Sequence, residues 1–267
     1  MGIQTGIPTS MPLEMPRLSC NDRIRSLHDL ITREIAYRIL RGNYAVGEIL
    51  PGESELMAEF RASRTALREA LKTLAAKGLV VAKTRVGTRV LPVSFWNYYD
   101  PQVLSWRLEN GVDTEFLVKL FEVRQALEPA AAALAATQRK PEDLVRLRRY
   151  LREMSASHRT ATSYAEPDLG FHQQILLASH NPFLQTFSSI IEASIISAFG
   201  ISAPIERPER HARSIQRHQM VYDAIQTGDP AKASRAMSEV IAEGLENAHI
   251  DRAVEPIQIF LPLASSA

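Results

Sequence analysis

The chain has 267 residues, 45% of them hydrophobic, which is too long for one small domain and enough for two cores. Its single cysteine, Cys20, excludes an intrachain disulfide and gives no sign of an oxidising compartment. The net charge of +1 hides an asymmetry: residues 21–92 hold 13 Lys and Arg against 8 Asp and Glu, a surplus of five, so the remainder carries a deficit of four. The front of the chain is therefore the part suited to a polyanion.

The opening stretch MGIQTGIPTSMPLEMPRLSC is rich in Pro, Gly and Ser and lacks the basic start and apolar core of a signal peptide. It predicts a disordered tail over 1–20 and a cytoplasmic protein. No apolar run approaches the roughly 18 residues of a membrane span, so no membrane partner is expected. Next, Ile24, Leu27, Ile31, Ile35 and Ile39 recur at helical spacing up to Gly42. Pro51-Gly52 predicts a turn, followed by a short helix with Leu56, Met57 and Phe60 inward. Ser63 is suited to cap a third helix that runs to about Lys77, with Gly78 as its stop. LVVAKTRVGTRVLP is β-branched, with Gly87 near a turn, and predicts a hairpin. Three helices and a hairpin are the order of a winged helix-turn-helix, expected over 21–92.

Residues 93–112 include Phe95, Trp96, Tyr98, Tyr99 and Trp106, too much apolar surface for a flexible linker. An ordered aromatic connector is expected there. From 113 to 250 the spacing is helical throughout, predicting an all-α bundle. A C-terminal tail, 251–267, follows. The fold class expected is mainly α: an N-terminal winged helix-turn-helix and a C-terminal helical bundle.

In the third helix Arg64, Arg68 and Lys72 share one face, while Leu67, Ala70, Leu71 and Leu74 share another. Alone, such a stripe fits a solvated surface. The preceding short helix, tight turn and following hairpin make it a candidate for the major groove, with Arg forks on guanine or phosphate at the helix start. The stretch GEILPGESELMAEFRASRTALREALKTLAAKGLV, followed by VGTRV, resembles the winged helix-turn-helix of the GntR superfamily over about seventy residues. That resemblance implies operator DNA as partner, contacts from Ser63, Arg64, Thr65 and Arg68, and a wing contact from Gly87 and Thr88. Arg61 departs from it, since small residues are common at that turn.

In the helical part, Asp168 and His172 stand four apart on one helix, and His218 falls in line with Ser214, Val221 and Ile225. One carboxylate and two imidazoles suit a transition metal, though an inward His also fits a satisfied core. Arg124 lies in an apolar stripe with Glu128 one turn on. It fits a structural ion pair or a clamp for an anionic effector. FEVRQALEPAAAALAA, DLGFHQQILLASHNPFL and HQMVYDAIQTGD resemble the FCD effector domain of the FadR subfamily. Many members bind a divalent metal through an Asp and three His, and hold a carboxylate effector with that metal and an Arg. The resemblance implies Asp168, His172 and His218 as metal ligands for Zn, Ni or Mn. Val240 stands where the fourth ligand is expected and cannot ligate. Either a three-ligand site persists, or His172, His218, Asn181 and Arg124 bind the effector directly. WNYYDPQVLSWRLENG resembles the connector of the branch that responds to sugar acids such as galactonate.

The whole implies a homodimeric, ligand-responsive repressor released by a small carboxylate. A helical metal-dependent enzyme, or a DNA-binding protein without effector, are the other readings of the same residues. No nucleophile–base pair or phosphate loop supports an enzyme.

Overall fold

In a computed structural model, residues 26–156, 161–201 and 207–250 are described; the two predicted tails lie outside them. Helix α1 (Leu27–Leu40) starts at Ser26, whose hydroxyl accepts from Asp29 N–H at 3.1 Å. Ile31, Ile35 and Ile39 are buried, but Leu27, at the first turn, is 43% exposed; Ile24 lies outside the described residues. Helix α2 (Glu53–Phe60) buries Leu56, with Met57 and Phe60 half-buried. It ends at Arg61, which takes the left-handed conformation (φ 49°). That conformation is open to Gly and costs other residues about 1 kcal/mol, so the departure at this turn carries strain.

Helix α3 (Arg64–Ala76) buries Leu67, Ala70 and Leu74 against α1, while Leu71 is half-buried. Strands β1 (Val80–Lys83) and β2 (Gly87–Val90) pair antiparallel, Val80 opposite Val90 and Lys83 opposite Gly87. Ile49 bridges to Arg89 on the far side of β2. Together these elements close over one apolar core.

Gly78 joins α3 to β1 with φ +76°, and a Cβ there would lie 2.0 Å from the Phe95 carbonyl oxygen. Both the left-handed backbone and the close approach require glycine. Gly78→Ala should lower unfolding free energy by about 2–4 kcal/mol, from strain plus backbone overlap. Chemical denaturation checks this; a loss below about 0.5 kcal/mol contradicts it.

The connector is ordered. A 3-10 turn (Val93–Phe95) leads to helix α4 (Pro101–Glu109), capped by the Asp100 carboxylate on the N–H groups of Gln102 and Val103. Its side chains serve both sides: Val103 and Trp106 join the first core, Leu104 and Leu108 the second. Lys77, at the end of α3, reaches Asp100 at 2.6 Å and lies over the Trp106 ring. Glu109 accepts from Arg33 and Tyr37 of α1. The end of the third helix is thus tied by charge and packing to the start of α4.

The remaining helices are α5 (Thr114–Gln138), α6 (Pro141–Ala156), α7 (Ala161–Ala178), α8 (Pro182–Gln185), α9 (Ser188–Ile201), α10 (Pro208–Thr227) and α11 (Pro230–Ile250). Helix α5 is central, packing against α7, α9, α10 and α11. The stretch Pro182–Gly200 is long and apolar enough to cross a membrane by length and composition, at mean hydropathy 1.2, but 56% of it is buried in the bundle. Its apolarity is accounted for by the core. Helix α9 also packs against α4, so the connector contacts the bundle beside the residues described next.

Candidate functional site

Two places gather the residues singled out above. The first is the exposed start of α3. Ser63 caps the helix, accepting from Ala66 N–H at 3.2 Å. Arg64, Thr65 and Arg68 are exposed beside it, where the first-turn N–H groups and helix dipole favour phosphate. Arg68 is held near Glu53 of α2 at 3.2 Å, an exposed pair of modest strength that orients the guanidinium without withholding it. Lys72 pairs with Glu69 at 2.8 Å. Gly87 is exposed and Thr88 half-buried at the hairpin, with φ +114° at Gly87 and +64° at Arg85 shaping the tip.

The second place is a buried polar cluster in the bundle. The buried face of α5 runs through Leu117, Leu120, Phe121, Arg124, Glu128 and Ala131. Beside it Phe116, Val123, Leu127 and Leu134 are only half-buried. Arg124 and Glu128 thus sit in the middle of that face, 5% and 1% exposed. Arg124 Nε donates to Glu128 Oε1 at 2.5 Å. Its Nη2 lies 3.4 and 3.5 Å from the two ring nitrogens of His172, so the guanidinium faces the imidazole. Its Nη1 is 3.5 Å from Ser194 Oγ on α9.

From α7 come Asp168 and His172, and from α10 His218, all buried. Gly170 lets α7 approach α6: a Cβ there would stand 2.3 Å from the Tyr150 ring. One ligand atom from each of Asp168, His172 and His218 falls within 4.8 Å of the others. His218 Nε2 is 3.1 Å from Asp168 Oδ1 and 3.4 Å from His172 Nε2. On its other side, His218 Nδ1 meets the Ser214 carbonyl at 2.7 Å, which assigns the proton to Nδ1. Its Nε2 is turned toward Asp168 and His172. His172 Nδ1 meets Glu128 Oε2 in the same way. Two imidazole nitrogens and a carboxylate oxygen converge in a place away from water. Such a set repels itself unless a proton or cation sits among it, and its geometry and chemistry fit a divalent metal with open positions.

Burial acts to raise the Asp168 pKa, but His218, His172 and Arg124 outweigh it and hold the carboxyl below its ordinary value. Glu128 follows the same pattern, burial opposed and overcome by Arg124 and His172. Both carboxylates are therefore charged near neutral pH. Tyr164 is driven the other way, chiefly by burial, and its hydroxyl pairs with Ser214 Oγ at 2.8 Å.

Asn181 lies at the start of α8. Its Oδ1 accepts from Phe183 N–H at 3.0 Å, capping α8, and no described contact joins it to Arg124 or His172. Val240 is buried in the bundle core on α11. Sequence reasoning missed Ser194 and Tyr164 as neighbours of the cluster, placed Ser214 only in line with His218, and saw Glu128 only as a partner for Arg124. The helical burial of Glu128 one turn from a buried Arg was the available signal.

Comparison with known proteins bears on both places. The profile described as bacterial regulatory proteins, gntR family, matches residues 27–90, and that of the FCD domain matches residues 119–243. The HTH-type transcriptional regulator YieP of Escherichia coli is 35% identical over 86% of this chain and 98% of its own. The galactonate operon transcriptional repressor of E. coli is 34% identical over 80% of this chain and 93% of its own. Lar, which controls expression of the Listeria monocytogenes agr system, has a solved structure that matches with TM-score 0.59 at 20% identity, covering 85% of this chain and 98% of that one. That last likeness concerns the fold alone. With a gntR-type domain in front and an FCD domain behind, the chain belongs to the GntR family of bacterial transcription regulators, DNA-binding proteins rather than enzymes.

Proposed function

We propose that this regulator is a cytoplasmic homodimeric repressor, released from its operator by a small hydroxylated carboxylate, a sugar acid being the favoured class. The observation that carries this reading is the pairing, in one chain, of the exposed basic start of α3 with the buried Arg124, Asp168, His172 and His218. Residues 21–92 serve DNA binding, 93–112 transmit, and 113–250 bind effector and dimerise. Ser63, Arg64, Thr65 and Arg68 face the major groove, with Gly87 and Thr88 at the wing. A dimer presents two such helices to the halves of a palindrome. The similarity to the galactonate repressor supports the sugar-acid class.

In the bundle, Asp168, His172 and His218 would hold a divalent cation (Zn, Ni or Mn), which when bound supplies a Lewis-acidic point for a carboxylate oxygen. Arg124 supplies the second point, because its Nη groups are turned from Glu128 toward the cluster. Ser194 links this place to α9, and α9 packs on α4. Effector binding that shifts α9 therefore reaches Asp100, Lys77 and the end of α3. The coupling exists only if the two arrangements differ in operator affinity.

Two expectations test these parts. Asp100→Asn keeps a capping oxygen but removes the charge opposite Lys77. Effector affinity by calorimetry should stay unchanged while the effector's influence on DNA affinity shrinks; full influence contradicts the route. Val240→His should tighten divalent metal binding by about tenfold, equivalent to about 1.4 kcal/mol, measured by chelator competition. No gain argues that no metal site exists there. The reading as a whole is tested by thermal-shift screening with sugar acids and divalent metals, since ligands of the folded state raise apparent stability by mass action. Neither class of ligand shifting the transition argues against it.

A further inference from the structure

The geometry points to Glu128 as the positioning residue that orients both His172 and Arg124 for ligand binding. This rests on the reading that the buried cluster holds a divalent cation and a carboxylate. The two imidazoles are prepared by different devices. His218 gives its Nδ1 proton to the Ser214 carbonyl at 2.7 Å, a backbone group that no side-chain change removes. Among the described residues His172 has a side chain for this purpose, the Glu128 carboxylate, which contacts its Nδ1 from α5. In the neutral imidazole, a proton held on Nδ1 leaves the Nε2 lone pair facing His218 Nε2 at 3.4 Å, where the ligand atoms converge. A carboxylate behind a ligating imidazole also raises its basicity.

The other oxygen of Glu128 accepts Arg124 Nε at 2.5 Å. An Arg side chain engaged at Nε presents its two Nη groups in the opposite direction, here toward His172 and Ser194. One buried carboxylate thus takes two donors, one through each oxygen, and each donor belongs to a residue that would touch the ligand. A purely structural partner for Arg124 does not need the second contact.

Glu128→Gln separates these roles with little change in shape. The amide has one acceptor oxygen and one donor nitrogen, so it cannot offer an acceptor at both positions held by Oε1 and Oε2. Arg124 can only donate and keeps the oxygen through the stronger, charge-assisted bond. The amide N–H then faces His172 Nδ1 and drives its proton to Nε2, into the space between the ligands. Glu128→Asp keeps two acceptor oxygens on a shorter arm and should recover part of the wild-type behaviour.

The test uses the full-length protein, with zinc as probe. Zinc affinity is measured by competition with a chromogenic chelator, and the His172 tautomer by long-range ¹H–¹⁵N spectra of the metal-free protein in alkaline buffer. Expected are a wild-type proton on Nδ1, a switch to Nε2 in Glu128→Gln with zinc binding about 10–100-fold weaker, and partial recovery in Glu128→Asp. A wild-type proton on Nε2 alone, or a Gln variant with unchanged tautomer and zinc affinity, overturns the proposal. A wild-type protein that binds no zinc sinks the metal reading, while the tautomer comparison still decides the role of Glu128. If the Gln variant does not fold, the wild-type tautomer and the Asp variant decide it.

Discussion

Replacing Arg64 or Arg68 by alanine is expected to weaken operator binding by about 1–3 kcal/mol each if the contact is bidentate to a base. Both side chains are exposed at the start of α3, while Leu67, Ala70 and Leu74 fix the opposite face in the core. Neither guanidinium packs into that core, so stability should change by less than about 0.5 kcal/mol. Loss of the exposed Arg68–Glu53 pair adds little to that. Titrations at several salt concentrations separate the two kinds of contact. A phosphate contact lowers affinity evenly across sequences and reduces the salt slope by about one, whereas a base contact relaxes the choice of base at one position. Unchanged affinity in both variants refutes the placement of α3 in the groove.

The second large effect concerns Arg124. Truncation to alanine leaves Glu128 buried with its guanidinium partner gone, and breaking such a pair costs about 3–5 kcal/mol. His172 lessens the penalty by its own contact with Glu128. An alanine variant therefore confuses loss of the effector clamp with loss of the fold. Arg124→Lys is the cleaner change, because it keeps a positive charge opposite Glu128 and loses the planar fork that matches a carboxylate. The lysine variant should unfold near the wild-type temperature and bind operator normally, yet fail to release it on addition of effector. Thermal unfolding and effector-dependent DNA titration measure these separately. Normal release in a folded Arg124→Lys protein contradicts the clamp role.

The parts that could be read in advance are those written in local spacing. Ser63 before an amphipathic run with Gly78 behind it marks the ends of α3 because capping and left-handed termination are local events. Asp168 and His172 share a face because a helix repeats every 3.6 residues. Arg124 was legible as inward from its apolar neighbours, although which of the apolar residues of α5 are fully buried was not. That helix is covered on several sides, so many rotations of its apolar stripe look alike in sequence. Contacts between distant segments were not legible. Glu128 meets His172 across 44 residues, and Lys77 meets Asp100 across 23, with the whole hairpin and the 3-10 turn between them. Both depend on how helices cross, which no spacing within one helix contains. Asn181 shows the converse: its sequence context, a residue before Pro182, already suits a helix cap, and capping is the contact it makes.

The central claim is that a carboxylate bound beside Arg124 governs how tightly α3 holds DNA. It is tested most directly by fluorescence anisotropy of an operator duplex, selected in vitro with the purified protein, titrated with and without sugar acids in the presence of zinc. A sugar acid that binds should lower operator affinity by about tenfold or more, equivalent to about 1.4 kcal/mol of coupling, and Arg124→Lys should abolish that difference. Superimposable titration curves for an acid shown by thermal shift to be bound would contradict it.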